Sequence, residues 1–169
     1  PGMALDKDEN LTGCVGGRGL DRISTDRKFE KLTDGTNSSV LSVIDDSRLK
    51  LADDLDIAPD GRIFFSEATI RYDMHDWAYD ALESRGNGRL ICYDPREKST
   101  HTILRNLQSP NGICMAGDGQ SFFFAESWGC RINPYCFYGP QQLPSRLPVS
   151  LMAVYSDNTH RPSAAHLVD

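Results

Sequence analysis

Apolar and polar residues alternate through most of this chain in short runs, each closed by Gly, Asp, Asn or Pro. A period of two is the mark of half-buried strands. Met3–Asp6, Leu11–Gly17, Gly19–Ser24 and Phe29–Thr33 read as four strands joined by turns, one meander. A second set runs from Leu55 to Leu104 as LDIA, RIFFS, RLICYD and STHTIL. A third starts at Ile113 and continues with SFFFAE and CRINPYCF. One stretch breaks the alternation. In TIRYDMHDWAYDALESRG (Thr69–Gly86), Met74, Trp77, Ala78, Ala81 and Leu82 follow the spacing of a single helix face, and Gly86 supplies a stop. The spacing predicts an amphipathic helix over Tyr72–Ser84 lying across one end of the sheets, with His75 and Asp76 on its solvated side.

Within this pattern one phrase occurs twice. DDLDIAPDG from Asp53 and NGICMAGDG from Asn111 each open on a polar residue and reach an Asp-Gly turn seven residues on, at Asp60-Gly61 and Asp118-Gly119. Each turn feeds a strand that ends on a glutamate, Glu67 or Glu126, placed there to cap or pair. Short-stranded units repeating every ~40–50 residues predict an all-β fold of the β-propeller type. The units divide the chain into a first blade (about 1–33), a connection (34–51), a second blade (about 52–104, with the insert at 69–86), a third (about 111–139) and an incomplete one (140–169). Asp8-Glu9 stands where the second blade has Asp60-Gly61, which puts Pro1 in the place of Asp53. Asp157 opens the last copy, at intervals of 58 (111 − 53) and 46 (157 − 111) residues. There the pattern erodes: Ala164-Ala165 replaces Asp-Gly, and three prolines from Pro140 to Pro148 suit a strand badly.

Charge and cysteine usage narrow the partners. The 169 residues carry a net charge of −6, which argues against a nucleic-acid or acidic-membrane surface. No apolar run approaches the ~20 residues of a membrane-spanning helix. PGMALDKDEN has neither the basic start nor the apolar stretch of a signal peptide, and it lacks an initiator Met, so the chain reads as a piece of something longer. The five cysteines are an odd number without a CxxC site. Cys14, Cys92 and Cys114 fall in strand-like contexts as small hydrophobes, and Cys130 and Cys136 are near enough in sequence to pair. A reducing, cytoplasmic setting is the expectation.

From Asp54 to Gly139 the chain resembles the strictosidine synthase-like branch of the calcium-dependent six-bladed propellers, whose relatives include gluconolactonases and paraoxonases. The runs LADDLDIAPDGRIFFSEATIRY, GNGRLICYDP and SPNGICMAGDGQSFFFAESWGCRI carry the resemblance, and YSDNTHR looks like a worn Pro-Asp-Asn segment. The resemblance implies a calcium ion, or another divalent metal, in a central channel, held by Asp53, Asn111 and Asp157. Relatives have Asn before Asp at the first of these positions. Such an ion wants 6–8 oxygen ligands, which carboxylates and an amide supply. Each residue also has a plainer role open to it: Asp53 in a solvated acidic cluster, Asn111 and Asp157 in turns.

The implied activity is lactone or ester hydrolysis of a small-molecule substrate, with the metal polarising the carbonyl. The alternatives are amine–aldehyde condensation, which in plant synthases uses a glutamate from a later blade, or a binding segment without catalysis. None of His75, His101, His160 and His166 sits in a recognisable catalytic motif, so the base is unassigned. Three blades and a stub leave bare blade edges, predicting self-association and little activity from the chain by itself.

Overall fold

In a computed structural model of the chain, residues 1–33 and 48–137 are described. Three antiparallel meanders make up the fold. The first sheet has the order β1 (Met3–Leu5), β2 (Leu11–Val15), β3 (Gly19–Ile23) and β4 (Phe29–Lys31). The second has β5 (Ala52–Ile57), β6 (Ile63–Glu67), β7 (Gly88–Asp94) and β8 (Ser99–Leu107), with helix α1 (Trp77–Glu83) between β6 and β7. The third holds β9 (Pro110–Met115), β10 (Ser121–Glu126) and β11 (Arg131–Cys136). These are propeller blades, each led by its innermost strand.

The turn between the first two strands is built the same way in every blade. Gly61 and Gly119 donate back to the carbonyls of Ala58 and Ala116, and Glu9 donates to that of Asp6. The donor sits at positive φ each time: 93° at Gly61, 64° at Gly119 and 62° at Glu9. Glycine takes that conformation freely, whereas Glu9 holds it at a steric cost.

Blades stack face to face, and the alternation of β6 decides how. Phe65 and Ile63, with Ile91 and Tyr93 of β7, face Cys14, Leu20 and Leu32 of the first blade. Phe64, with Leu90 and Cys92, faces Ile113, Met115, Phe122 and Phe124 of the third. The second blade is covered on both sides, so β6 is buried at all five positions, polar Ser66 and Glu67 included. Phe64 lies 5.1 Å from Phe122 and stacks on Phe137 at 4.9 Å between ring centres. Leu49, just before β5, is drawn into the first interface.

Helix α1 is shorter than the periodicity predicts, and its expected apolar face is not its buried one. Met74, Trp77 and Leu82 are exposed, Leu82 by 80%, while Asp80 is buried at 2%. The physical reason is a polar anchor. The Asp80 carboxylate accepts hydrogen bonds from Asn87 Nδ2 (2.9 Å) and from Trp128 Nε1 of the third blade (3.0 Å). Two satisfied bonds roll the helix with Asp80 inward, and Trp77 stacks on Trp128 at 6.0 Å between ring centres.

Phe64→Ala removes the side chain shared by two blades. The expected loss is ~3–5 kcal/mol of unfolding free energy, read from urea denaturation with the slope unchanged.

Candidate functional site

The entry end of the inner strands gathers the polar chemistry. In β5 the register with β6 shifts between Ala52 and Leu55; in β9 the register with β10 shifts between Pro110 and Ile113. Ala52 faces Glu67 across one ladder and Pro110 faces Glu126 across the other, so Asp53 and Asn111 occupy the same bulged position of successive blades. Bulges of this kind re-aim side chains beside functional sites. Both residues are partly buried. The Asp53 Oδ1 atom lies 3.9 Å from the amino nitrogen of Pro1, two residues before β1 of the neighbouring blade. Asp157 lies outside the described residues.

Each bulge is fixed from behind by a buried glutamate. Glu67 is fully buried; its Oε1 accepts from the Lys50 N–H (2.7 Å) and its Oε2 from Arg89 Nε (2.5 Å). Glu126 repeats the arrangement, with the Gln108 N–H and Arg131 Nε each at 2.7 Å and Asn133 Nδ2 at 2.8 Å. In both blades the glutamate thus ties the residue two places before the inner strand to the start of the third strand. Burial raises the Glu67 carboxyl above its ordinary value, against the pull of the Arg89 guanidinium and the Lys50 and Leu51 amides. These glutamates are committed to pairing, as their strand-end position led us to expect.

A second pair of carboxylates crosses between blades. β9 is the inner edge of its sheet, and alternate N–H groups along it have no strand to bond. Asp54 Oδ2 accepts from the Ile113 N–H (2.9 Å) and Asp56 Oδ2 from the Met115 N–H (2.7 Å), at the same 59-residue offset. Asp54 is buried at 8% and is pushed above the usual carboxylate range chiefly by desolvation. Gly2 packs so close that a Cβ there would stand 1.7 Å from Asp54 Oδ1. Sequence reasoning missed the role of Asp54 and Asp56. The signal was present: in DDLD they share one face of a strand whose other face carries Leu55.

The remaining polar residues sit away from this end or do other work. His75 is exposed beside α1, and His101 belongs to the outer strand β8, opposite Cys92; His160 and His166 lie outside the described residues. All five cysteines are free, Cys130 and Cys136 included. Burial pushes the Cys14 thiol well up and that of Cys92 to about 12, so neither supplies a thiolate at neutral pH. Among the described residues no helix is long and apolar enough to cross a membrane.

Residues 53–140, the segment that contains both bulges and both glutamate clamps, match the family model described as strictosidine synthase. The chain belongs to the strictosidine synthase family. It is 36% identical over 107 residues to the Arabidopsis thaliana protein STRICTOSIDINE SYNTHASE-LIKE 13, covering 63% of this chain and 27% of that one. The chain spans about a quarter to a third of the length of the curated relatives it matches. Among solved structures, a gluconolactonase from Xanthomonas campestris superposes with a TM-score of 0.60 at 19% identity, over 86% of this chain and 46% of that one. A virginiamycin B lyase from Staphylococcus aureus gives 0.51 at 17% identity, over 79% and 36%. Both likenesses are of fold alone, and a shared fold does not fix the chemistry.

Calcium suits the donors present in the described part of this end. Asp53 offers a carboxylate and Asn111 an amide oxygen, both hard ligands, with no thiol or imidazole among them. Among the described residues His, Cys, Asp and Glu form no cluster of three able to hold a metal. A cage here therefore depends on Asn111 and on ligands from other blades.

Two outcomes test this electrostatic frame. Removing Arg89 leaves Glu67 buried without its partner, and Arg89→Ala should cost ~3–5 kcal/mol. Arg131→Ala should cost less, because Arg131 is 32% exposed against 7% for Arg89. Asp54 supplies the pH arm. Its folded value is raised, so its contribution to stability is full below the unfolded carboxyl value of ~3.9 and is lost as pH rises through the folded value. Urea midpoints of Asp54→Asn between pH 3.5 and pH 7 (a range chosen around that ~3.9 value) should lack this loss.

Proposed function

We propose that this segment forms part of the metal-binding end of a calcium-dependent lactone or ester hydrolase. One observation carries the reading: Asp53 and Asn111 stand at the same bulged position of adjacent blades, each bulge held by a glutamate clamp. Two oxygen donors repeated in that way belong to an axial site, which a solvated acidic cluster or a lone turn has no reason to produce. Asp53, Asn111 and Asp157 would hold the ion. Bound there, it would supply Lewis-acid polarisation of a substrate carbonyl. The chain's own part is to fix the donors. Glu67 and Glu126 hold the two strand entries, and Asp54 and Asp56 lock the relative height of β5 and β9. The Asp80–Trp128 bond keeps the insert at the Trp128 end of the third blade.

The match to the strictosidine synthase model favours one second reading, condensation of an amine with an aldehyde. Both reactions are assayed on the full-length protein with and without calcium. Calcium-dependent lactone or aryl ester turnover supports the first reading, and amine–aldehyde coupling the second. Inactivity toward both leaves a binding propeller.

Calcium titration calorimetry gives the residue-level test. Asp53→Ala and Asn111→Ala should each weaken binding by about tenfold or more, equivalent to ~1.4 kcal/mol. Asp54→Ala should affect stability more than affinity, since Oδ2 is committed to Ile113. Equal effects of Asp53→Ala and Asp54→Ala on affinity would mean that the wrong carboxylate is assigned.

A further inference from the structure

An asparagine followed by glycine is open to spontaneous chemistry, because glycine has no Cβ to keep its backbone nitrogen away from the preceding side chain. The sequence has two such steps, Asn87-Gly88 and Asn111-Gly112. Both asparagines are half-buried and both precede a buried glycine, so exposure does not separate them. Their surroundings do.

Asn87 is held in place. Its Nδ2 donates to Asp80 Oδ1 (2.9 Å) and to Glu83 Oε2 (3.0 Å), and its carbonyl accepts from the Ile70 N–H (2.9 Å). Gly88 pairs with Leu107 across the ladder, and a Cβ there would stand 2.1 Å from Pro110 Cδ. Bringing the Gly88 nitrogen onto the Asn87 amide would break those bonds and turn a tightly packed backbone. Asn111 and Gly112 are the opposite case. The ladder between β9 and β10 passes over both: Ile113 faces Phe124 and Pro110 faces Glu126. A bulge disrupts the ladder and departs from regular strand geometry. Among the described residues no hydrogen bond holds the Asn111 side chain.

We propose that Asn111 deamidates spontaneously in the folded protein, whereas Asn87 is protected. The Gly112 nitrogen, once its proton has passed to water or hydroxide, bonds to Asn111 Cγ; the Cγ–Nδ2 bond breaks and the amide nitrogen leaves as ammonia. Water then opens the cyclic imide at either carbonyl, giving an aspartyl or an isoaspartyl residue. The sum consumes one water and releases one ammonia, with no oxidant or cofactor. Ring closure is intramolecular, so it needs no solvent access at Gly112. The isoaspartyl product routes the backbone through the former side chain and lengthens β9 just before Ile113. Asp54 and Asp56 accept from the Ile113 and Met115 N–H groups at one shared offset, so that product puts both out of register. Either product exchanges a neutral amide donor for a carboxylate. The consequence for calcium rests on the metal reading above; the deamidation does not.

Peptide mapping by mass spectrometry tests this on the full-length protein, aged folded in calcium-free buffer. The peptide with Asn111 should gain the mass of an amide-to-acid exchange at least ~10-fold faster than the peptide with Asn87, the ratio that ~1.4 kcal/mol of barrier supplies. Ageing in urea should bring the two rates together, since the contrast belongs to the fold. Asn111→Gln should remove the gain at that position, because the longer side chain closes its ring far more slowly, and leave Asn87 as it was. Equal rates at the two asparagines of the folded protein would overturn the proposal. So would reaction at Asn87 alone, or a folded protein in which neither reacts while both do in urea. Added calcium separates this proposal from the metal reading. Slowing at Asn111 supports its amide as a donor, and fast deamidation that calcium leaves unchanged upholds the proposal while counting against that reading.

Discussion

The fold depends on one strand having two apolar sides. Along β6 the alternation that elsewhere separates core from solvent separates one core from another: Phe65 belongs to the interface with the first blade and Phe64 to that with the third. Among the described residues, neither neighbour has a core cluster beyond the one it shares with the second blade. A loss at β6 is therefore felt in all three sheets. The same constraint explains the composition of the segment IFFSE: a polar residue on either face would have to be satisfied inside a packed interface. Ser66 meets that demand by accepting from the Asp54 N–H and donating to the Asp54 carbonyl.

Apolar stacking has little preference for the height at which blades meet, and the polar groups supply it. Asp54 and Asp56 bond two N–H groups of β9 at a fixed offset, which a slip of one residue would lose together. Glu67 and Glu126 then fix where the chain enters each inner strand. Buried carboxylates are costly and better replaced by hydrocarbon where only stability matters. Their recurrence at one end of the blades fits a demand for position, and position is what Asp53 and Asn111 need to act as ligands.

Family membership and reaction stand at different levels here. Residues 53–140 establish the first. The solved structures of like fold include a gluconolactonase and a virginiamycin B lyase, so the architecture does not fix one chemistry. The reaction has to be argued from side chains, and in this chain two candidate donors, with the clamps behind them, are described.

The sequence by itself determined the strands, the turns and the repeat. Period-two alternation and the Asp-Gly turns are local properties, set by the pleat and by which residues tolerate positive φ, and they placed Asp53 and Asn111 in equivalent positions. Even the substituted turn at Asp8-Glu9 was legible, because its spacing survived the loss of glycine. Only the tertiary structure decided which acidic residues do which work. In DDLD the three carboxylates look alike, yet Asp54 and Asp56 face β9 and Asp53 sits in the bulge. It also reversed the helix. The apolar spacing of Met74, Trp77 and Leu82 pointed inward, but Trp128, 48 residues from Asp80, offers a donor that no local pattern contains. A polar group buried against a distant partner outweighs a short amphipathic stripe, and sequence periodicity carries no record of the distant partner.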